Sequence, residues 1–304
     1  MIDKTMSNKN VAVNSLAKKA QTVKTVQKVL IYAVLVLYAI IIIFPFSIIL
    51  LTSLKTWQEA SSVEFSWLFE SGVHWDGYQE VFKYKANMMA TMPTLIRSFM
   101  NTLLYVLPTT LIGLMVGSLS AYVFAKYQFR GRNFMYAMLL ATMMIPGAIM
   151  LVPSYSLYDA LAWIDTPLPL ILPGLFSSAA CVFFMRQFFT GIPDSILEAA
   201  KLDGVGLIGI FFKIMIPLST PALIAQGLLG FIGGYNDYLA PLVYLQSSDL
   251  YTLQLALRSF ASVYDKKPNF VMAATIMALL PTLAIYFIAQ DFFIEGIAAS
   301  AIKG

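Results

Sequence analysis

The stretch that decides the fold is EAAKLDGVGLIGIFFKIMIPLSTPAL, residues 198–223. Glu198, Lys201 and Asp203 lead into Gly204, Gly206 and Gly209, and Pro217 and Pro221 close it. On either side the chain is apolar enough to lie inside a bilayer. Ser195 and Glu198 have the spacing of a capping box, with Ser195 as N-cap and Glu198 at N3. Gly204 falls where a helix end favours a left-handed residue. A short helix is therefore expected up to Asp203, presenting Ile196, Leu197, Ala200 and Leu202. A second helical piece over 206–214 carries Phe211, Phe212 and Ile214 before Pro217 opens the next apolar run. Helices this short are marginal in water and need a surface to lie against. Lipid headgroups would favour a basic face. Asp194, Glu198 and Asp203 outnumber Lys201 here, which suits a groove in another protein.

The whole chain supports a membrane setting. Of 304 residues, 59% are hydrophobic and 12% charged, whereas soluble domains carry about 25% charged residues. A formal net charge of +4 does not point to nucleic acid. Cys181 stands alone in an apolar run, which fits a packing residue. His74 lies in a polar loop with no Cys or His nearby, so no metal site is expected.

Residues 1–28 form a basic segment with Lys4, Lys9, Lys18, Lys19, Lys24 and Lys28. The apolar run 29–51 after it is longer than the about 7–15 residues of a signal peptide and long enough to span, so it reads as a retained first span. Further spans are expected at about 98–125, 134–153, 168–186, 218–242 and 270–292. The fold class is all-α and polytopic, with a six-helix membrane domain over 29–293, an external loop at 52–97, a cytoplasmic loop at 187–217 and a tail at 294–304. With the termini inside, 13 of the 20 Lys and Arg residues fall on the cytoplasmic side, as the positive-inside rule asks. Residues 29–51, 99–125, 134–153 and 270–290 hold no ionisable Asp, Glu, Lys, Arg or His. That disfavours a proton-coupled secondary transporter. No nucleophile, base and orienting group come together in the sequence, which disfavours a membrane enzyme.

The string Glu198-Ala199-Ala200, then Gly204, then Ile214-x-Ile216-Pro217, resembles the EAA signature of ABC importer permeases. The chain is similar to the six-span second permease subunit of maltose-type carbohydrate importers. NTLLYVLPTT (101–110), AYVFAKYQFRGR (121–132), IPGAIMLVPSY (145–155), YNDYLAPL (235–242) and EGIAASAIKG (295–304) carry the likeness from about residue 30 onward. It departs at Ile216, usually leucine, at Tyr235, usually tryptophan, and at Val205-Gly206, where Ala-Ser is common. The second departure leaves open what the external end of span five contacts, and the third would loosen the link between the two short helices.

The resemblance implies a type I ABC importer permease fold in the cytoplasmic membrane, with 187–217 as the loop that docks on a dimeric ATPase. Ser195, Glu198, Ala199, Ala200, Asp203, Gly204, Ile214 and Pro217 are the implied coupling residues. Glu198 would be the anchor, and the tail residues Ile302, Lys303 and Gly304 would reach the same ATPase. Implied partners are a homologous second permease, an external sugar-binding protein, a carbohydrate and membrane lipid. The sequence has no G-x-x-x-x-G-K-[ST] phosphate loop, so ATP and Mg would belong to the ATPase, with no cofactor on this chain. Asn101, Tyr105, Gln226, Tyr235, Asn236 and Asp237 form a candidate substrate path. For any one of them helix–helix hydrogen bonding is the favoured reading, and in the resembled complexes the other permease supplies most substrate contacts. An ABC permease for glycerol phosphate or a polyol shares every motif.

Overall fold

A computed structural model describes residues 2–301 apart from 63 and 65, with side chains described for 24–62, 64 and 66–291. Ile302, Lys303 and Gly304 lie outside the described residues. Among the described residues the chain is helical, with no strand. It divides into two units, Met1–Thr52 and Ser53–Gly304.

The first unit is a single helix, α1 (Ile2–Ser53). The expected boundary at residue 28 marks no break, because residues 2–44 contain neither Gly nor Pro to end a helix. Val29, Leu30, Ile31, Tyr32, Val34 and Leu35 are all exposed, so from residue 29 the helix is apolar all round. That is the pattern of a membrane span.

The second unit begins with two short helices in the expected external loop, α2 (Trp57–Ala60) and α3 (Asp76–Lys83). Its spine is α4 (Thr94–Lys126), about 50 Å long at 1.5 Å per residue. Pro108 removes one donor from the α4 ladder. The Thr109 hydroxyl donates to the Tyr105 and Val106 carbonyls beside it, at 3.0 and 2.9 Å.

The third apolar run is not one straight span. It forms α5 (Arg132–Thr142) and α6 (Gly147–Ala160), bent by 94°. Pro146 causes the break, since it cannot donate and forces the residue before it out of the helical region. The fourth run is also interrupted, into α7 (Leu168–Leu175) and α8 (Ala179–Thr190). Ser177 between them takes a φ of +72°, which non-glycine residues seldom adopt.

The expected cytoplasmic loop holds α9 (Asp194–Leu202), α10 (Leu207–Ile210), a π-helical turn over Phe211–Met215 and α11 (Ile216–Leu218). Pro217 thus lies in the loop's last turn rather than opening the fifth span. That span is α12 (Thr220–Tyr235), set at 83° to the segment before it. It ends earlier than 242, where the Asp237 carboxylate accepts from the backbone N–H groups of Leu239 and Ala240. There it starts α13 (Leu239–Tyr244). An amphipathic α14 (Leu253–Val263) and the long α15 (Pro268–Ala301) complete the chain. Four helices are long and apolar enough to cross a membrane, and counting each bent pair as one span gives six.

In the second unit α4 packs on α7, α8 and α12, and α12 packs on α15. Glycines set the closest approaches. A Cβ on Gly113 of α4 would lie 2.4 Å from the Gly174 carbonyl oxygen of α7, so the two backbones meet as in small-residue membrane interfaces. Gly113→Ala should cost about 1–3 kcal/mol by overpacking. Gly147→Ala, where a Cβ meets nothing within 4 Å, should stay within about 0.5 kcal/mol of wild type. Thermal unfolding of the detergent-solubilised chain separates the two: a clear drop in apparent Tm for the first and none for the second.

Candidate functional site

Helix α9 is fastened at both ends. Its first turn carries Asp194, and Pro193 stands at the N-cap with no side-chain cap. The capping box read from the sequence is therefore not formed. Ser195 is already inside the helix and exposed, because the preceding Pro193 is extended (φ −59°, ψ 135°) and Asp194 starts the first turn. The N-terminus is held from outside instead. Lys126, in the last turn of α4, donates to the Ile192 carbonyl at 2.5 Å and to Asp194 Oδ1 at 2.6 Å. The Lys126 side chain is only 4% exposed while Asp194 is 75% exposed. The bond and the positive charge of Lys126 hold the Asp194 carboxyl below its ordinary value of 3.8.

The C-terminus closes in a Schellman motif. Gly204 has φ +78°, which an L side chain resists. Val205 N–H donates to the Ala200 carbonyl at 2.9 Å and Gly204 N–H to Lys201 at 3.0 Å. The motif uses an apolar residue after the glycine, and Val205 packs into the same cluster as Ala200. The departure at Val205 therefore tightens the link between the short helices rather than loosening it.

Between these ends, Leu197 and Ala200 face inward against Tyr122, Phe189, Phe211 and Met215. Tyr122 is fully buried at the centre, stacked on Phe211 with ring centroids 5.6 Å apart and bonded to the Tyr127 hydroxyl at 2.7 Å. Arg186 of α8 donates to the Phe124 carbonyl at 3.3 Å and lies 4.0 Å from the Tyr136 ring centroid. The π-turn widens the backbone just before Pro217, with Ile216 N–H reaching the Phe211 carbonyl. Ile214 is half-buried and Pro217 exposed.

The outward face of α9 carries Glu198, Ala199 and Asp203, with Ile196 and Leu202 beside them, all exposed. Leu202 is 89% exposed. Glu198 has no hydrogen bond or ion pair among the described residues. The arrangement offers a carboxylate and an apolar rim on a helix that cannot swing freely.

The candidate path residues do not converge on one site. Asn101 donates to the Asp249 and Tyr251 carbonyls, and the buried Tyr105 hydroxyl to Leu250, so both fasten the segment before α14 to α4. Tyr235, also buried, donates to the Ala278 carbonyl of α15 at 2.8 Å, which settles what the residue in the usual tryptophan position contacts. Asn236 is exposed and accepts from Gln254 at 3.3 Å, and Asp237 caps α13. Gln226 alone lines a cavity, of about 380 Å³, together with Thr109, Thr110, Ser177 and Ser178. Sequence reasoning missed Lys126, which counted there only as an inside charge, and the α7–α8 break, for which Pro173-Gly174 was the available signal.

Residues 110–298 match the family of binding-protein-dependent transport system inner membrane components. The chain belongs to that family. It is 36% identical over 206 residues to the arabinooligosaccharides transport system permease protein AraQ of Bacillus subtilis, covering 68% of this chain and 73% of AraQ. It is 33% identical over 203 residues to the sn-glycerol-3-phosphate transport system permease protein UgpE of Pectobacterium atrosepticum, covering 66% and 72% of the two chains. Its fold is that of a chain in the crystal structure of a bacterial ABC transporter involved in the import of the acidic polysaccharide alginate. The TM-score is 0.75 at 23% identity, over 88% of this chain and 96% of that one. This inner-membrane component is thus a multi-pass membrane protein.

The Lys126 anchor has a measurable consequence. Lys126→Met leaves the Ile192 carbonyl and Asp194 without their partner, and loss of the bond to the Ile192 carbonyl should by itself cost about 1–3 kcal/mol of local opening free energy. Amide exchange over 194–205 should speed up accordingly. Because the folded Asp194 pKa is depressed, its contribution is present above the ordinary value of 3.8 and is lost as pH falls below it. Exchange in this helix should be unaffected by this pair between about pH 5 and 8. Wild-type protection in Lys126→Met would refute the anchor.

Proposed function

We propose that this chain is the non-catalytic, membrane-spanning permease subunit of an ATP-driven importer that takes up carbohydrate, an oligosaccharide by preference, from an external binding protein. It pairs with a homologous permease, and α9 docks in a cleft of a dimeric cytoplasmic ATPase that handles ATP and Mg. Both termini face the cytoplasm, as the distribution of Lys and Arg supports. The observation that carries the reading is the outward face of α9: Glu198 is exposed and unpaired on a helix held at one end by Lys126 and at the other by Gly204. The relative AraQ supports carbohydrate as the solute, and UgpE supports glycerol phosphate as the alternative.

Glu198→Ala tests the docking. The side chain has no partner among the described residues, so the chain's own stability should change by less than about 0.5 kcal/mol. A partner group in the ATPase would be left buried and unpaired, which costs about 2–5 kcal/mol of binding. ATPase co-purification and uptake should both be lost while the protein still inserts. Gly204→Val should act in the same direction through the backbone alone, because a Cβ there meets nothing within 4 Å. Gly204→Asn, which tolerates the left-handed conformation, should retain most of the ATPase. Normal pull-down and uptake with Glu198→Ala and Gly204→Val would reject the assignment.

The tail is proposed to touch the ATPase as well. Deleting Ala298–Gly304 should lower coupled uptake more than it lowers the amount of protein in the membrane, measured by quantitative immunoblot beside transport.

A further inference from the structure

A cavity of about 380 Å³ lies between α4, the α7–α8 break and α12. Thr109 and Thr110 lie midway along α4, Ser177 and Ser178 sit in the break, and Gln226 projects from α12. Irregular backbone at membrane depth is tolerated where it is buried in protein or lines a wet cavity. Here the break lines one. Several of the lining groups are also unsatisfied. The Ser177 hydroxyl is buried with no partner beyond the weak Cys181 thiol. The Gln226 amide and the Thr110 hydroxyl, both half-buried, have no hydrogen-bond partner among the described residues. Polar groups left unpaired in an apolar setting carry a desolvation cost that a bound ligand or water removes.

The lining also says what kind of ligand fits. No charged residue borders the cavity, and an anion brought to such a site would lose its hydration without a compensating cation. The helix dipoles do not replace one. The negative C-terminal end of α7 and the positive N-terminal end of α8 meet at the break and oppose each other. Hydroxyls and a carboxamide each both donate and accept, the pattern a sugar hydroxyl presents in return.

Resting on the importer reading above, we propose that this chain itself binds a neutral polyhydroxylated solute midway across the membrane, with Gln226, Thr110 and Ser177 as its hydrogen-bonding groups, and that anionic solutes are excluded there. The resemblance seen in the sequence places most substrate contacts on the partner permease. The cavity adds a site on this one.

The test uses the complete importer in proteoliposomes, with its partner permease, ATPase and binding protein. The solutes offered are neutral mono- to tetrasaccharides, arabinotriose among them, and the anions sn-glycerol 3-phosphate and galacturonate. Wild type should move a neutral saccharide and neither anion. Gln226→Leu and the isosteric Thr110→Val should each lower the sugar moved per ATP hydrolysed by about fivefold or more, and Gln226→Asn should recover part of it. A variant that merely misfolds lowers transport and hydrolysis together and leaves that ratio unchanged. Wild-type ratios in both Gln226→Leu and Thr110→Val overturn the site, as does uptake of either anion, while leaving the importer reading intact. No hydrolysis stimulated by the loaded binding protein in wild type would overturn the importer reading, and this inference with it.

Discussion

Inside hydrocarbon every backbone N–H and C=O must find a partner within the protein, and the rest of this structure follows from that requirement. It makes the chain helical among the described residues. It also makes each interruption informative, because an interruption exposes groups that something else must satisfy. Those at 143–146, at 176–178 and at Ser219 each have a different cause. Pro146 removes a donor and forces an extended residue before it. Ser177 takes a left-handed turn between α7 and α8, with α7 held against α4 at the Gly113–Gly174 approach. At Ser219 the chain turns from the segment 207–218 into α12, through 83°.

The long α4 links these regions. In its N-terminal half Asn101 and Tyr105 fasten the segment before α14, midway it borders the polar cavity, and its last turn delivers Lys126 to α9. A lysine suits that last turn on its own account, since a cation there complements the helix dipole. Placing its ammonium on the Ile192 carbonyl and Asp194 gives the same charge a second task. Tyr122, four residues earlier, packs on Phe211 of the π-turn. Both ends of the segment from Ile192 to Phe211 are therefore fixed to a single helix.

Much of this was legible in the sequence because it depends on local chemistry. The apolar runs follow from composition, and all appear as helices. Gly204 follows from the conformation a helix end demands, and its φ is left-handed. What failed depended on partners far away in the chain. Ser195 and Glu198 fit a capping box by spacing, but Pro193 and the reach of Lys126 across 68 residues moved the helix start to Asp194. Tyr105 and Tyr235 were readable as path, though packing was favoured, and the carbonyls of Leu250 and Ala278 took their hydroxyls. The breaks in the third and fourth runs were hidden because apolar composition is the same whether a helix is straight or bent. Only Pro146 and Pro173-Gly174 mark the places.

The two fastenings of α9 differ in a way that matters for how it can respond to load. The Lys126 contacts are charge-assisted and partly buried, whereas the Gly204 closure is backbone geometry with open space around it. A force on the outward face meets a helix whose inward residues Leu197 and Ala200 are packed against Tyr122, Phe189 and Met215. Close-packed side chains of this kind do not compress. The helix can follow such a force by moving together with the ends of α4 and α8, or by unpacking that cluster. Unpacking exposes several large buried side chains at about 1.5–3 kcal/mol each, which makes concerted displacement the lower-energy response. The same two helices wall the cavity at their other parts, so the shape of the cavity and the position of α9 are set by one rigid pair.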